Sequence, residues 1–326
     1  MLNILSFILF YILCTMVIVG YGQLGKVLIF SNNKSINEIG IIGLFGYLFL
    51  YFISSTIHFF SNFSNILVTV IFTLGFFSFI FFLLNKKFEK NSIRYFAIIL
   101  ILFLPFAIIA EPNEDFFFYY QPYINYLQST KIIFGIVNIN NTLAFSTNSL
   151  YDILVLFNFN SKFNNGFSVP ISIFYIFFIS FLSETITKKF NFFNFIILFL
   201  SIVSFSKLRD FGTSIPPQLL LIIIICLTYA LLTEGFKQEL LTKIFSLLTL
   251  AIILRFNSII ILPLIIIIIT IFYKHIFSYL TNNKKTIIFL FLVSTLFIFK
   301  NIIHSGCLIY PVSTLCFEEV SWSSNI

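Results

Sequence analysis

Apolar residues come in long blocks along this chain, divided by short polar stretches, and the blocks predict its elements. Runs at about 2–21, 39–59, 66–84, 95–110, 169–185, 192–205, 219–233, 240–254, 259–273 and 286–303 hold few charges. A bilayer crossing takes about 20 mainly apolar residues in helical form. The pattern predicts an all-α, polytopic integral membrane protein with about ten transmembrane helices, in which residues 1–326 form a single transmembrane domain. The sixth and eighth blocks are short enough to be half-helices, tolerable where their ends face protein or a water-filled cavity. The first block lacks a basic leader and an Ala-x-Ala-like exit, so it is expected to be a retained span.

Residues 111–167 connect the fourth and fifth blocks and are too long and too patterned for a passive hairpin connection. Tyr119, Tyr123 and Tyr126 recur at helical spacing. They predict an amphipathic helix at headgroup level, kinked by Pro122. Asn138, Asn140 and Asn141 on one side, and Asn158, Asn160, Asn164 and Asn165 on the other, flank an apolar piece at 150–157 that is too short to span. The expectation is a long outer loop lying on the membrane surface, with a re-entrant element as a variant.

Charge then sets the sides. The chain has 19 Lys and Arg against 12 Asp and Glu, a net charge of +7, yet only 10% of its residues are charged. In a soluble chain that excess would suggest nucleic acid. Here the basic residues mark cytoplasmic loops, so no nucleic-acid partner is expected. Lys86, Lys87, Lys90 and Arg94 fix the loop between the third and fourth blocks as cytoplasmic, and alternation then puts both termini outside. Lys131, Lys162, Lys207, Arg209, Arg255 and Lys300 fall on the outer side, with Glu111, Glu114, Asp115, Asp152, Asp210, Glu318 and Glu319. Polar chemistry is expected there, on a multi-pass protein of the bacterial inner (plasma) membrane surrounded by membrane lipids.

The densest candidate is Glu111-Pro112-Asn113-Glu114-Asp115, where the fourth block ends. One account needs no chemistry: Asn113 caps a helix, and Glu114 and Asp115 in its first turn gain about 0.3 to 1 kcal/mol each from the helix dipole. The other makes a carboxylate the general base, or a ligand to a divalent metal, beside a lipid substrate at the membrane surface. A departing phosphate would then need a cation. Arg255 interrupts an apolar stretch in which an unpaired guanidinium is costly. Lys300 and His304 lie one turn apart, and Lys207 and Arg209 add a third patch. Each also has a plainer account, snorkelling to headgroups or, for Arg209, pairing with Asp210. No cofactor is required by this pattern; a divalent metal is optional.

Cys14 and Cys226 lie in apolar blocks, whereas Cys307 and Cys316 lie in the tail at 304–326. In an oxidising compartment the second pair would close a disulfide loop worth about 2 to 3 kcal/mol. His58, His275 and His304 do not cluster with cysteine at zinc-ligand spacing.

The run Glu114-Asp115-Phe116-Phe117-Phe118-Tyr119-Tyr120-Gln121-Pro122-Tyr123, opening a long external loop, resembles the multi-span glycosyltransferases of the GT-C superfamily. With the tail Ser305-Gly306-Cys307-Leu308-Ile309-Tyr310-Pro311, it also looks like segments of bacterial polytopic proteins related to that group. The resemblance implies a lipid-linked sugar, a polyprenyl-phosphate donor, as partner, and transfer with inversion. Asp115 or Glu114 matches the catalytic-base position. Around them, Glu111 would support the base, Arg255 and Lys300 would hold the phosphate, and Arg209 and His304 would extend the binding side. A transporter or flippase for a lipid-linked or anionic solute stays open as the alternative, with Arg255 and the acidic cluster at its outer gate. So does a scaffold whose outer loop binds a partner.

Overall fold

The apolar blocks are helical in the computed structural model, which describes residues 2–30, 36–85, 87–110, 115–158, 168–188, 190–203, 214–317 and 319–323. The first four blocks are α1 (Leu2–Ile29), α2 (Ile39–Phe60), α3 (Asn65–Leu84) and α4 (Lys90–Ile109). After a π-helical turn at Phe116–Tyr120 come α5 (Gln121–Ser129), α6 (Ser149–Leu154) and α7 (Ser168–Lys188). The rest is α8 (Phe192–Val203), α9 (Ile215–Glu234), α10 (Gln238–Leu254), α11 (Leu262–Ile271), α12 (Tyr273–Asn282) and α13 (Lys284–Ser305).

Among the described residues, seven helices are long and apolar enough to cross a membrane: α1, α2, α3, α4, α7, α9 and α13. The protein is an all-α, multi-pass integral membrane protein. The sixth, eighth and ninth apolar blocks differ from simple spans. The helix α8 has 12 residues, and α10 has 17 with Glu239 and Lys243 in its opening turns. The ninth block is broken, because the unit at Phe256–Ile271 meets α12 at 96°. Block length alone does not separate a helix facing lipid from one buried in protein, and most of α10 is buried.

The centre of the bundle is α2 with α7, whose side chains are almost all enclosed. Two glycines set the approach of α1 to α2: a Cβ at Gly22 would collide with the Ile42 carbonyl, and one at Gly46 with that of Ile18. Small residues of this kind let membrane helices meet backbone to backbone. The outer members α3 and α4 leave Phe77, Phe81, Ile101 and Leu102 exposed, as lipid-facing helices should.

Polar groups gather at the two ends of this bundle. At one end, Glu38 receives Lys243 at 2.9 Å and Lys188 at 3.3 Å, while the Ser92 hydroxyl donates to Glu184 at 2.8 Å. The other end holds Asp152, Lys300, His58 and His304, all buried. At that end part of the described connection from α4 to α7 is enclosed by the helices. Tyr123 and Tyr126 are buried and only Tyr119 of the three is exposed, so α5 turns its tyrosine face inward and leaves Gln121, Asn125 and Ser129 on its exposed face. Pro122 follows directly on the π turn, at the second position of α5, within a helical stretch that runs unbroken from Asp115 to Ser129. Residues 150–157 are enclosed as α6 and a following 3-10 turn, packed on α2 and α3. An apolar octapeptide gains more from burial against these helices than from lying flat on a surface.

Candidate functional site

Within the apolar sequence at 150–157 there is one charge, Asp152. Because α6 is buried on every side, its carboxylate needs a partner inside the protein. Lys300 on α13 provides it, with Nζ 2.6 Å from Oδ1, and the Tyr123 hydroxyl donates to the same oxygen at 2.8 Å. The ammonium also stands 5.7 Å from the centre of the Tyr123 ring. Burial pushes the Asp152 carboxyl above its ordinary value, and Lys300 and Tyr123 act in the opposite direction.

Next to this pair, the Tyr126 hydroxyl and His304 Nε2 lie 3.3 Å apart, and the same hydroxyl accepts from the Ile133 N–H at 3.0 Å. The His58 ring meets the edge of Tyr126 at 5.2 Å. Four elements, α2, α5, α6 and α13, are thereby tied at one point. The connection after α5 and the tail both fasten α13 at the same end: Gly135 N–H donates to the Ile303 carbonyl at 2.8 Å, and Trp322 Nε1–H to that of Ile302 at 3.0 Å. Cys307 and Cys316 are joined by a disulfide, and Tyr310 stacks on Phe145 at 5.7 Å.

Asp115 lies beside this assembly, one residue before Phe116. It is exposed, and it immediately precedes the π turn, in which the Gln121 N–H reaches back to the Phe116 carbonyl. Phe116 is buried against Tyr151 with ring centres 6.2 Å apart, so the residue after Asp115 is held while its carboxylate faces outward. Single π turns of this kind recur at functional sites. Arg255 is half-buried at the C-terminal end of α10, and its backbone carbonyl accepts from Ser258 N–H at 2.9 Å. No carboxylate pairs with it among the described residues.

Of the sequence candidates, Lys300 and His304 are brought together, but into the buried network. Lys300 is committed to Asp152, and His304 to Tyr126. Glu111, Glu114 and Arg209 lie outside the described residues. No group of three or more His, Cys, Asp or Glu side chains suited to a metal ion occurs among the described residues. Asp152 and His58 are members of this network that the sequence candidates do not include. A signal for Asp152 was present, since a single carboxylate in an apolar octapeptide has to be paired if that peptide is buried. Nothing of the kind marked His58, one polar residue on a mostly apolar helix.

Residues 1–326 match the family model described as Domain of unknown function (DUF8201). No curated protein and no solved structure gave a match.

Proposed function

The chain belongs to the DUF8201 family, and we propose that it is an integral-membrane glycosyltransferase of the bacterial cell envelope. In this reading it moves a sugar from polyprenyl phosphate to a glycan or lipid acceptor. The Asp152 end faces outward and both termini are external, because the basic loops gather at the opposite end. With α8 and α10 as half-helices and the bent α11–α12 unit included, all ten apolar blocks contribute to the membrane domain.

The observation that supports the reading is the setting of Asp115: an exposed carboxylate immediately before a π turn whose first residue, Phe116, is buried against Tyr151. Asp115 takes the proton of an acceptor hydroxyl, and the oxygen attacks the anomeric carbon from the side opposite the phosphate. The bond from that carbon to the phosphate oxygen breaks, and polyprenyl phosphate leaves with the electron pair, inverting the configuration. Arg255 meets the negative charge on the departing phosphate. Glu111 and Glu114 support the base, and Arg209 extends the binding side. Lys300 and His304 act as positioning residues that hold the loop, because their polar atoms are engaged within the protein.

Proteoliposomes given a panel of polyprenyl-phosphate sugars labelled in the sugar test this reading. Wild-type protein is expected to move label into an envelope acceptor, and Asp115→Asn to slow transfer by about a hundredfold or more. Transfer unchanged in Asp115→Asn would remove the mechanism.

One observation favours the second reading, a transporter of a lipid-linked or anionic solute: Lys300 is a buried charge within a candidate span. Solute flux in the same proteoliposomes without label transfer would favour that reading.

A further inference from the structure

Away from Asp115 and Asp152, at the Glu38 end, a cavity of about 590 Å³ opens between α7, α8, α9 and α10. Its walls carry Glu38, Lys188, Glu234, Lys237, Glu239 and Lys243. The same helices α7, α8 and α9 line a second cavity of about 320 Å³, walled by Tyr175, Phe193, Ile197, Leu219 and Ile222. The two follow one another along the helices. On α9, Ile222 and Ile225 line the second cavity while Cys226 and Tyr229 line the first; on α8 the linings meet at Phe193, which borders the second cavity and packs on Tyr229 of the first at 5.5 Å. Each volume lies within the range of pockets that hold small molecules.

This crevice is polar at one end and apolar along its length. Its polar mouth sits where the candidate spans α7 and α9 terminate at Lys188 and Glu234, the level of lipid headgroups. Its apolar part runs toward the middle of the same spans, the level of acyl chains. We infer that the crevice holds one membrane phospholipid with a zwitterionic head, its phosphate and ammonium in the mouth and an acyl chain between α8 and α9.

Charge selects the head. Lys243 is buried and occupied by Glu239 at 2.6 Å and Glu38 at 2.9 Å. Lys188 and Lys237 are about half exposed, at 51% and 53%, and each ammonium keeps protons to donate beyond its glutamate. They face a phosphate. Glu234, with 31% of its side chain exposed, and the buried Asn194 Oδ1, which has no hydrogen-bond partner among the described residues, face an ammonium. Three lysines against three glutamates leave the mouth without net charge. These charges are already paired with one another, so a head that carries both charges keeps the balance of the mouth, whereas a purely anionic or purely cationic head would upset it. The inference stands on these two cavities and does not depend on the transfer reaction at the opposite end.

The test is native mass spectrometry of the full chain after delipidation and reconstitution with equal amounts of phosphatidylethanolamine and phosphatidylglycerol. One phosphatidylethanolamine per chain is expected to survive release from detergent, favoured over phosphatidylglycerol by about tenfold. Ile222→Trp, which fills the apolar part, is expected to lose that adduct. Should Ile222→Trp fail to fold, Ile197→Phe on the facing helix tests the same space. Lys188→Ala is expected to lower the preference between heads while retaining some lipid. Excess glycerophosphoethanolamine, the head without chains, is expected not to displace the lipid. Equal retention of both lipids, retention of none, an adduct undiminished in a folded apolar-part variant, or displacement by the free head would each overturn the inference.

Discussion

Both ends of the bundle bury a lysine against a carboxylate, but the surroundings of the two pairs differ. Lys300 and Asp152 pair one to one, with 6% and 2% of their side chains exposed, under Tyr123. Lys243 and Glu38 share their charges: the lysine also binds Glu239, the glutamate also binds Lys188, and a large cavity opens beside them. An enclosed pair is closed to an outside ligand, so it serves to fix the chain. A shared pair at an open mouth keeps a field that a ligand can meet. The same residue types therefore act as a fastener at one end and as the wall of a binding site at the other.

The largest expected effect follows from that enclosure. Lys300→Met leaves the Asp152 carboxylate buried without its cation, a loss of about 3 to 5 kcal/mol, read as a lowered unfolding midpoint in detergent micelles. Adding Asp152→Leu should recover most of it, because no unpaired charge remains. Lys243→Met should cost less, about 1 to 2 kcal/mol, since Glu38 keeps Lys188 and Glu239 retains access to water. Equal losses from the two lysine substitutions would mean that enclosure does not distinguish the ends.

Acidity separates the ends by sign. Burial alone would raise the Glu38 carboxyl, but Lys243 and Lys188 together hold it below its ordinary value of 4.5. Its contribution to stability is thus present above pH 4.5 and is lost as the pH falls through the lower folded value. Asp152 goes the other way. Its carboxyl is raised by burial, so the stabilisation linked to its proton is full below its ordinary value of 3.8 and is lost as the pH rises through the folded value. Glu38→Gln should cost about 1 to 2 kcal/mol at neutral pH and flatten the acid limb of the unfolding curve. An acid limb as steep in Glu38→Gln as in wild type would place that dependence elsewhere.

How far the sequence could see is also divided between the ends. Helix class and membrane crossing were legible, because the residues of α2 or α13 are apolar for a full crossing whatever they touch. The Cys307–Cys316 proximity and the acidic run ending at Asp115 were visible as local spacing. What escaped was contact between distant segments: Lys300 meets Asp152 across 148 positions, and Lys243 meets Glu38 across 205. Periodicity carries no signal for such partners, so Lys300 read as a free cation. Tyr123 and Tyr126 failed for a related reason, since an aromatic ring with a polar tip suits either a membrane surface or a buried polar partner. The positions of their partners decide, Asp152 for Tyr123 and His304 for Tyr126.

The smallest effect on stability should come from the residue given the largest role in chemistry. Asp115 is exposed at the first helical position before the π turn, so its carboxylate can interact with the helix start but fills no space in the core. Asparagine there keeps size and polarity and gives up a dipole interaction of a few tenths of a kcal/mol, so Asp115→Asn should shift stability by no more than about 0.5 kcal/mol. Phe116→Ala, one residue on, removes a ring packed on Tyr151 and should cost about 3 kcal/mol or more. Measured side by side, the two variants separate support from chemistry: transfer lost in Asp115→Asn at unchanged unfolding midpoint would locate the activity at the carboxylate. A midpoint as low as that of Phe116→Ala would instead make Asp115 part of the fastening at the Asp152 end, and a structural residue first.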